Sequence, residues 1–310
     1  MKRISALLLT ALTLTGLLLL GGCGKSQAPE PQQEEGAIQI ETVETDGFAM
    51  DYFRFGRGER TLVILPGLSV QSVMGSAEAV AEAYAPLTDE FTIYLFDRRK
   101  DLPETYTTQE MAGDTAAAIR ALGLEKVSLF GASQGGMMAL EIAIRDPELT
   151  DRLVLGSTAP WVTDTLAGTL DTWIGLAEAG DAEGLYLAFG QAVYPEEVFQ
   201  QSRDLLVQAA QTVTEEDLSR FVILARAMEG FDVRDQLDRI ACPVLALGAE
   251  DDRVLGAEGT RTLADLLGSR PDFEVYLYDG YGHAAYDLAP DYKDRMLAFL
   301  VPESAGEAKQ

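Results

Sequence analysis

The stretch VSLFGASQGG, residues 127–136, joins a short apolar run to a segment with helical periodicity. Its second half has the form G-x-S-x-G, with Ser133 between Gly131 and Gly135. A tight turn from strand to helix exposes the serine oxygen at the carboxyl end of a sheet, and glycines leave room for neighbouring backbone. The backbone N–H of Gln134 then lies at a helix N-terminus, where it can face a developing negative charge. The stretch therefore predicts a nucleophilic serine.

Similar apolar runs, each ended by a turn residue, occur on both sides of this stretch. The predicted strands are Thr61–Leu65, Thr92–Phe96, Val127–Phe130, Leu153–Leu155, Val244–Leu247 and Glu274–Tyr278, after a hairpin of Ile38–Val43 and Phe48–Phe55. The predicted helices between and after them are Gln109–Leu122, Gly135–Arg145, Glu258–Leu267 and Asp291–Leu300. Strands buried on both faces read as continuous apolar runs, so the alternation predicts an α/β fold with a doubly wound, mostly parallel sheet.

The segment from Trp161 to about Gln236 interrupts this alternation. It is helical in pattern and rich in aromatic residues: Trp161, Trp173, Tyr186, Phe189, Tyr194, Phe199, Phe221 and Phe231. A strand-free stretch of this length predicts an inserted helical cap at about residues 161–236, with ordinary core helices as the alternative. These aromatic residues, like Met137 and Met138, could line an acyl pocket, but core packing is favoured for each of them.

The chain begins with a basic Met1-Lys2-Arg3, an apolar run over Ile4–Leu20, and Gly21-Gly22-Cys23. This pattern predicts a signal peptide over residues 1–22. The cut site resembles the lipobox of bacterial lipoproteins, which implies a lipid on the sulfur of Cys23 and a place on the extracytoplasmic face of a bacterial membrane. An ordinary cleaved signal and a retained anchor are the alternatives.

The remaining domain boundaries follow from composition. Residues 23–36, rich in Pro, Gln and Glu, are expected to form a disordered tether between the lipid and the folded domain. The domain itself is expected over residues 37–302, followed by a short tail at 303–310.

Composition excludes several classes of function. A net charge of −26 argues against binding to nucleic acid, because the phosphate backbone would be repelled. The chain has two cysteines and one histidine, and no Cys/His cluster has the spacing of metal ligands. Cys242 is expected to be a small buried apolar residue. We therefore expect no metal and no cofactor.

A serine hydroxyl needs a base, and His283 is the only histidine in the chain. It follows the last predicted strand, on a loop expected at the same edge of the sheet as Ser133. An acid is needed to orient the imidazole and stabilise its charged form. Glu250, Asp251 and Asp252 all follow the strand Val244–Leu247, so position alone leaves the three open.

The order serine, acid, histidine on loops after strands resembles the α/β-hydrolase fold superfamily, from about Gly47 to Leu300. The resemblance implies that Asp251 is the acid and that the backbone N–H groups of Leu68 and Gln134 form the oxyanion hole. Many members have His-Gly where this chain has Pro66-Gly67. The donor at Leu68 is a backbone N–H, so it does not require the histidine side chain. Arg98 follows the predicted strand Thr92–Phe96. It could line the site or form an ion pair with an acidic residue, and the ion pair is favoured.

The resemblance implies a serine hydrolase that cleaves a small ester through an acyl-enzyme, with no cofactor. Its substrate would be a small-molecule ester or amide, and its contact with the membrane would be the lipid on Cys23. An amidase or aminopeptidase of the same fold is the first alternative. A non-catalytic binding lipoprotein is the second, since a fold does not fix a function.

Overall fold

The computed structural model describes residues 37–302. The predicted signal peptide, the lipidation site at Cys23, the tether and the tail at 303–310 lie outside the described residues. No helix within residues 37–302 combines the length and the apolar character needed to cross a membrane.

The core of the fold is a single eight-stranded sheet in the order β1-β2-β4-β3-β5-β6-β7-β8. The strands are β1 Ile40–Thr45, β2 Phe48–Gly56, β3 Arg60–Leu65, β4 Phe91–Arg99, β5 Val127–Ala132, β6 Thr150–Gly156, β7 Val244–Ala249 and β8 Phe273–Tyr278. The pairs β1/β2 and β2/β4 are antiparallel, and all the other pairs are parallel. The predicted doubly wound, mostly parallel sheet is confirmed.

The sheet is covered on both faces, as the apolar runs in the sequence predict. Every residue of β5 and of β7 is buried. Side chains of successive strand residues point to opposite faces, and they enter two separate apolar clusters: Leu129 lies in one and Phe130 in the other. The edge strand β8 is the exception, with Val275 and Tyr276 exposed.

Helices flank this sheet and follow most of its strands. They are α1 Ala77–Ala83, α2 Thr108–Ala121, α3 Gln134–Arg145, α4 Asp164–Glu178, α5 Ala182–Val193, α6 Glu196–Ala210, α7 Glu215–Arg226, α8 Glu258–Leu267, α9 Ala285–Leu288 and α10 Tyr292–Leu300. A capping box between Thr107 and Glu110 begins α2. The short helix α1 has no counterpart among the sequence predictions, because its alanine-rich sequence shows no clear apolar stripe.

Four helices, α4 to α7, occupy the chain between β6 and β7. Their apolar faces pack into the larger cluster, and the rings of Trp173 and Phe189 stack with centroids 4.4 Å apart. One isolated bridge, between Trp161 and Asp232, joins the two ends of this segment. This helical cap lies over the carboxyl ends of the strands, where parallel sheets carry their sites.

Candidate active site

Ser133 occupies a strained turn between β5 and α3. Its φ is 54° and its ψ is −121°, a backbone conformation that residues other than glycine rarely adopt. Its backbone N–H donates to Gly156 O at 2.8 Å, which ties the turn to β6. A Cβ added at Gly131 would collide with Gly135, and one added at Gly135 would collide with the carbonyl of Leu65. The two glycines of the motif are therefore required by close backbone approach.

His283 is buried on the loop after β8, with 3% of its surface exposed. Its Nδ1 lies 2.8 Å from Oδ2 of Asp252. In the neutral ring with a proton on Nδ1, that nitrogen donates to the carboxylate and Nε2 is the basic atom. The arrangement fixes the tautomer that a general base for a serine requires.

Asp252 is held by the backbone of its own loop. Its Oδ1 accepts the N–H of Val254 at 2.8 Å and of Leu255 at 3.1 Å, while Oδ2 faces His283. Hydrogen bonds of this kind fix the direction of the carboxylate. Asp252 is therefore placed to orient and stabilise the imidazole.

The sequence prediction that Asp251 orients His283 is corrected by this arrangement. Asp251 is exposed, and its carboxylate accepts the backbone N–H of Gly280 at 3.2 Å and of Gly282 at 3.1 Å. Consecutive residues in the turn after β7 point in different directions, so only Asp252 is turned inward. Asp251 instead stabilises the loop that carries His283.

Ser133 and His283 line the same cavity, which has a volume of about 70 Å³. Pro66, Gly67 and Leu68 line it on one side. The cap contributes five apolar side chains to the remaining wall: Leu166, Trp173, Phe189, Val193 and Met228. The rest of the wall comes from outside the cap and includes Phe130, Val254 and the carboxylate of Asp287. Trp173 and Phe189 thus both fill the interior and face the cavity, whereas Met137 and Met138 are fully buried in the core.

Of the two predicted oxyanion donors, Gln134 directly follows Ser133 and Leu68 lies on a loop that passes near it. Gln134 is the first residue of α3, where the backbone N–H has no partner within the helix. The loop carrying Leu68 passes close to the serine, since a Cβ added at Gly67 would lie 3.2 Å from Ser133 Cβ. The loop that follows Pro66 therefore lies beside the serine.

The guanidinium of Arg98 does not form the ion pair with an acid that is favoured from the sequence. Its guanidinium donates to Pro66 O at 2.9 Å and to Gln134 Oε1 at 3.0 Å, and it is 4% exposed. The neighbouring Asp97 forms its ion pair with Arg220, at 2.6 Å. Sequence reasoning missed these contacts because the two partners of the guanidinium, Pro66 and Gln134, lie 32 and 36 residues away in the chain.

Across residues 37–302, no group of three or more His, Cys, Asp or Glu side chains is arranged to hold a metal ion. Cys242 is buried beside the start of β7, where burial raises the pKa of its thiol to about 11.

Solved structures share this architecture. The chain is similar to MGS-M2, an alpha/beta hydrolase enzyme from a Medee basin deep-sea metagenome library, with a TM-score of 0.74 and 20% identity over 84% of this chain and 97% of that one. It is also similar to the esterase EaEST from Exiguobacterium antarcticum, with a TM-score of 0.67 and 21% identity over 84% of this chain and 98% of that one. At these identities the likeness concerns the fold.

Sequence comparison identifies the family of this chain. A protein of Agrobacterium fabrum named "Putative carbamate hydrolase RutD" is 28% identical over 253 residues, which are 78% of this chain and 96% of the relative. A family model described as "alpha/beta hydrolase fold" matches residues 20–290. Because that match spans most of its length, the chain belongs to the alpha/beta hydrolase fold family and is an α/β-hydrolase enzyme.

Proposed function

We propose that the protein is a serine hydrolase that cleaves small esters through an acyl-enzyme. One observation carries the proposal: a strained serine borders the same cavity as a buried histidine, and that histidine is paired with Asp252. These are the parts of a nucleophile, a general base and the group that orients the base. The chain belongs to a family of hydrolases, which agrees with this chemistry.

Acylation begins when Ser133 Oγ attacks the carbonyl carbon of the ester and His283 Nε2 takes the hydroxyl proton. The imidazolium that forms is stabilised by Asp252 at Nδ1. The N–H groups of Leu68 and Gln134 stabilise the negative oxygen of the tetrahedral intermediate. When the intermediate collapses, the C–O bond to the leaving group breaks and His283 returns the proton to the departing alcohol.

Deacylation repeats these steps with water. His283 takes a proton from water as the oxygen attacks the acyl-serine, and the same two N–H groups stabilise the second tetrahedral intermediate. Collapse releases the carboxylic acid and restores the serine hydroxyl. Every step is accounted for by residues of this chain.

The size of the cavity supports a small substrate. A volume of about 70 Å³ is well below that of a pocket for a drug-sized ligand. Its apolar wall suits a short uncharged acyl group. A larger substrate would require the cap to move.

A small carbamate is a second candidate substrate class. It is favoured by the similarity to the A. fabrum protein, whose name specifies carbamate hydrolysis, over nearly that protein's whole length. A carbamate places its carbonyl in the same position relative to Ser133, and the mechanism above applies with a carbamoyl-enzyme as the intermediate. An amidase or aminopeptidase remains the third class, with an amine as the leaving group.

A fluorophosphonate probe tests the proposal directly, because it reacts only with an activated serine. We expect covalent labelling of the wild-type protein, no labelling of Ser133→Ala, and full labelling of Ser219→Ala, whose exposed hydroxyl lies on α7. A folded wild-type protein that stays unlabelled would favour a non-catalytic binding protein. Short p-nitrophenyl esters, matched carbamates and aminoacyl amides, assayed side by side, then rank the substrate classes.

We further propose that the enzyme is attached to the extracytoplasmic face of a bacterial membrane through a lipid on Cys23. The basic start, the apolar run and the Gly-Gly-Cys cut site support this. Feeding cells an alkyne-tagged fatty acid should label the wild-type protein and leave Cys23→Ser unlabelled. An unlabelled wild-type protein released from the membrane fraction would indicate an ordinary cleaved signal.

A further inference from the structure

Arg98 is a buried charge beside the proposed active site. It lies near the end of β4 with 4% of its surface exposed. Burial lowers the pKa of its guanidinium to about 10, so the group still carries its positive charge at neutral pH. A buried charge is tolerated only when it is paired or hydrogen-bonded, so the role of this arginine is read from its contacts.

The contacts of Arg98 join the two segments that carry the proposed oxyanion donors. Its Nη2 donates both to Pro66 O, at 2.9 Å, and to Gln134 Oε1, at 3.0 Å. Pro66 is two residues before Leu68, on the loop after β3, and Gln134 directly follows the nucleophile on α3. One nitrogen atom therefore ties the loop after β3 to the turn that holds Ser133.

This tie acts on backbone that passes very close to the nucleophile. A Cβ added at Gly67 would lie 3.2 Å from Ser133 Cβ, so a small shift of this loop changes the position of the Leu68 N–H relative to the serine. Misplacement of a catalytic group by about 1 Å is enough to lower a rate by roughly 100-fold. Holding the Pro66 carbonyl in place thus has a direct effect on the reaction.

The cap is connected to the same contacts. Gln134 Nε2 donates to Leu224 O at 2.6 Å, and Arg220 donates to Asp97 Oδ1 at 2.6 Å. Both cap residues belong to α7. The backbone N–H of Arg98 also donates to Asp97 Oδ1, at 2.8 Å. Helix α7, the loop after β3 and the nucleophile turn are therefore held together around Arg98.

We propose that Arg98 is a positioning residue, which sets the spacing between the Leu68 and Gln134 N–H donors so that both reach the negative oxygen of the tetrahedral intermediate. The inference rests on the serine hydrolase function proposed above. Arg98 acts through Pro66 and Gln134 rather than by touching the substrate. Its removal should therefore weaken stabilisation of the transition state more than binding of the substrate.

Substitution of Arg98 by Met tests this. With a short p-nitrophenyl ester we expect kcat to fall by roughly 10- to 100-fold while KM changes by less than about threefold, because loss of a whole oxyanion donor costs about 10²–10³. Arg98→Lys keeps a charged donor and should recover part of kcat. The matched control is Arg99→Met, on the same strand, whose arginine instead bonds Asp114 and Asp101 O; it should keep wild-type kcat.

A second variant keeps the test decisive if Arg98→Met does not fold. Gln134→Met retains the backbone donor but removes the side chain that Arg98 holds, so kcat should fall with KM nearly unchanged. The double variant should lose less than the product of the two single losses, since both act through one contact. A loss of kcat in the double variant equal to the product of the two single losses would overturn the inference. So would a folded Arg98→Met or Gln134→Met variant with wild-type kcat.

The outcome for the wild-type protein separates this inference from the function on which it rests. A wild-type protein that neither hydrolyses the ester nor reacts with the fluorophosphonate probe removes the proposed function, and the inference with it. An active wild-type protein whose Arg98→Met variant shows a raised KM and unchanged kcat keeps the hydrolase function. It would make Arg98 a substrate contact and reject the positioning role.

Discussion

His283 and Asp252 form a buried pair in which Nδ1 of the imidazole lies 2.8 Å from Oδ2 of the carboxylate. Their side chains are 3% and 1% exposed. The second carboxylate oxygen accepts the N–H groups of Val254 and Leu255, so the backbone fixes the orientation of the acid. With Nδ1 engaged in this way, Nε2 is the ring nitrogen that can take a proton from a nucleophile.

Exchange of the two neighbouring aspartates for asparagine should have unequal effects. Asp252→Asn is expected to lower kcat by roughly 10³–10⁴, because the amide no longer stabilises the imidazolium and favours the wrong tautomer. Asp251→Asn should cause a much smaller loss, since the Asn oxygen can still accept the N–H groups of Gly280 and Gly282. Steady-state hydrolysis of a short p-nitrophenyl ester measures both. A greater loss at Asp251 would assign the acid to that residue instead.

The sequence predicted the sheet, the nucleophile turn and the histidine loop because each leaves a local signal. Continuous apolar runs mark strands that are buried on both faces, and the G-x-S-x-G pattern marks a turn where backbone segments approach closely. The position of Asp251 and Asp252 leaves no comparable signal. Which of the two faces inward depends on the path of the turn after β7, and a shift of one residue reverses it.

Contacts between distant parts of the chain were also beyond sequence reasoning. Arg98 lies 36 residues from Gln134, and Gln134 lies 90 residues from Leu224, yet they meet beside Ser133. No periodic pattern or spacing connects these positions. Their contact follows from the order of strands in the sheet and from the way the cap folds back over it.

Two glycine-to-alanine exchanges should have opposite effects on stability. A Cβ at Gly135 would collide with the carbonyl of Leu65, so Gly135→Ala should destabilise the protein by several kcal/mol or prevent folding. Gly113 lies exposed inside α2, with no atom within 4 Å of an added Cβ. Gly113→Ala should raise the free energy of unfolding by about 0.5–1 kcal/mol. Urea unfolding followed by circular dichroism measures both, and similar effects at the two sites would contradict the close approach at Gly135.

The aromatic pair in the cap should set the size of the acyl group. Phe189 lines the cavity and stacks on Trp173, so Phe189→Leu enlarges the space above Ser133. We expect the ratio of kcat/KM for an octanoate over an acetate ester to rise by about tenfold. Phe221→Leu is the control, because Phe221 is equally buried in the cap but does not line the cavity. An equal change of ratio in both variants would indicate a general loosening of the cap.

Lys293 should make stability depend on pH in the alkaline range. Its ammonium lies 4.4 Å from the ring centroid of Tyr84 and donates to the carbonyl of Tyr286. Burial lowers the pKa of this ammonium to about 8, although the charge of Asp287 acts in the opposite direction. The unfolded chain, with a lysine pKa near 10.4, therefore binds the proton more tightly than the folded protein does. Between pH 8 and 10 the unfolded state holds more protons, so the free energy of unfolding rises with pH.

The effect of this lysine is isolated by comparing the wild-type protein with Lys293→Met. From pH 8 to 10 the wild-type protein should gain up to about 1 kcal/mol per pH unit relative to the variant, while below about pH 7 the difference between them should be constant. Buried tyrosines such as Tyr84 and Tyr292, whose pKa values are raised by desolvation, are present in both proteins and largely cancel in the difference. Urea unfolding at half-unit pH intervals measures it. Parallel curves across pH 8–10 would mean that folding does not lower the pKa of Lys293.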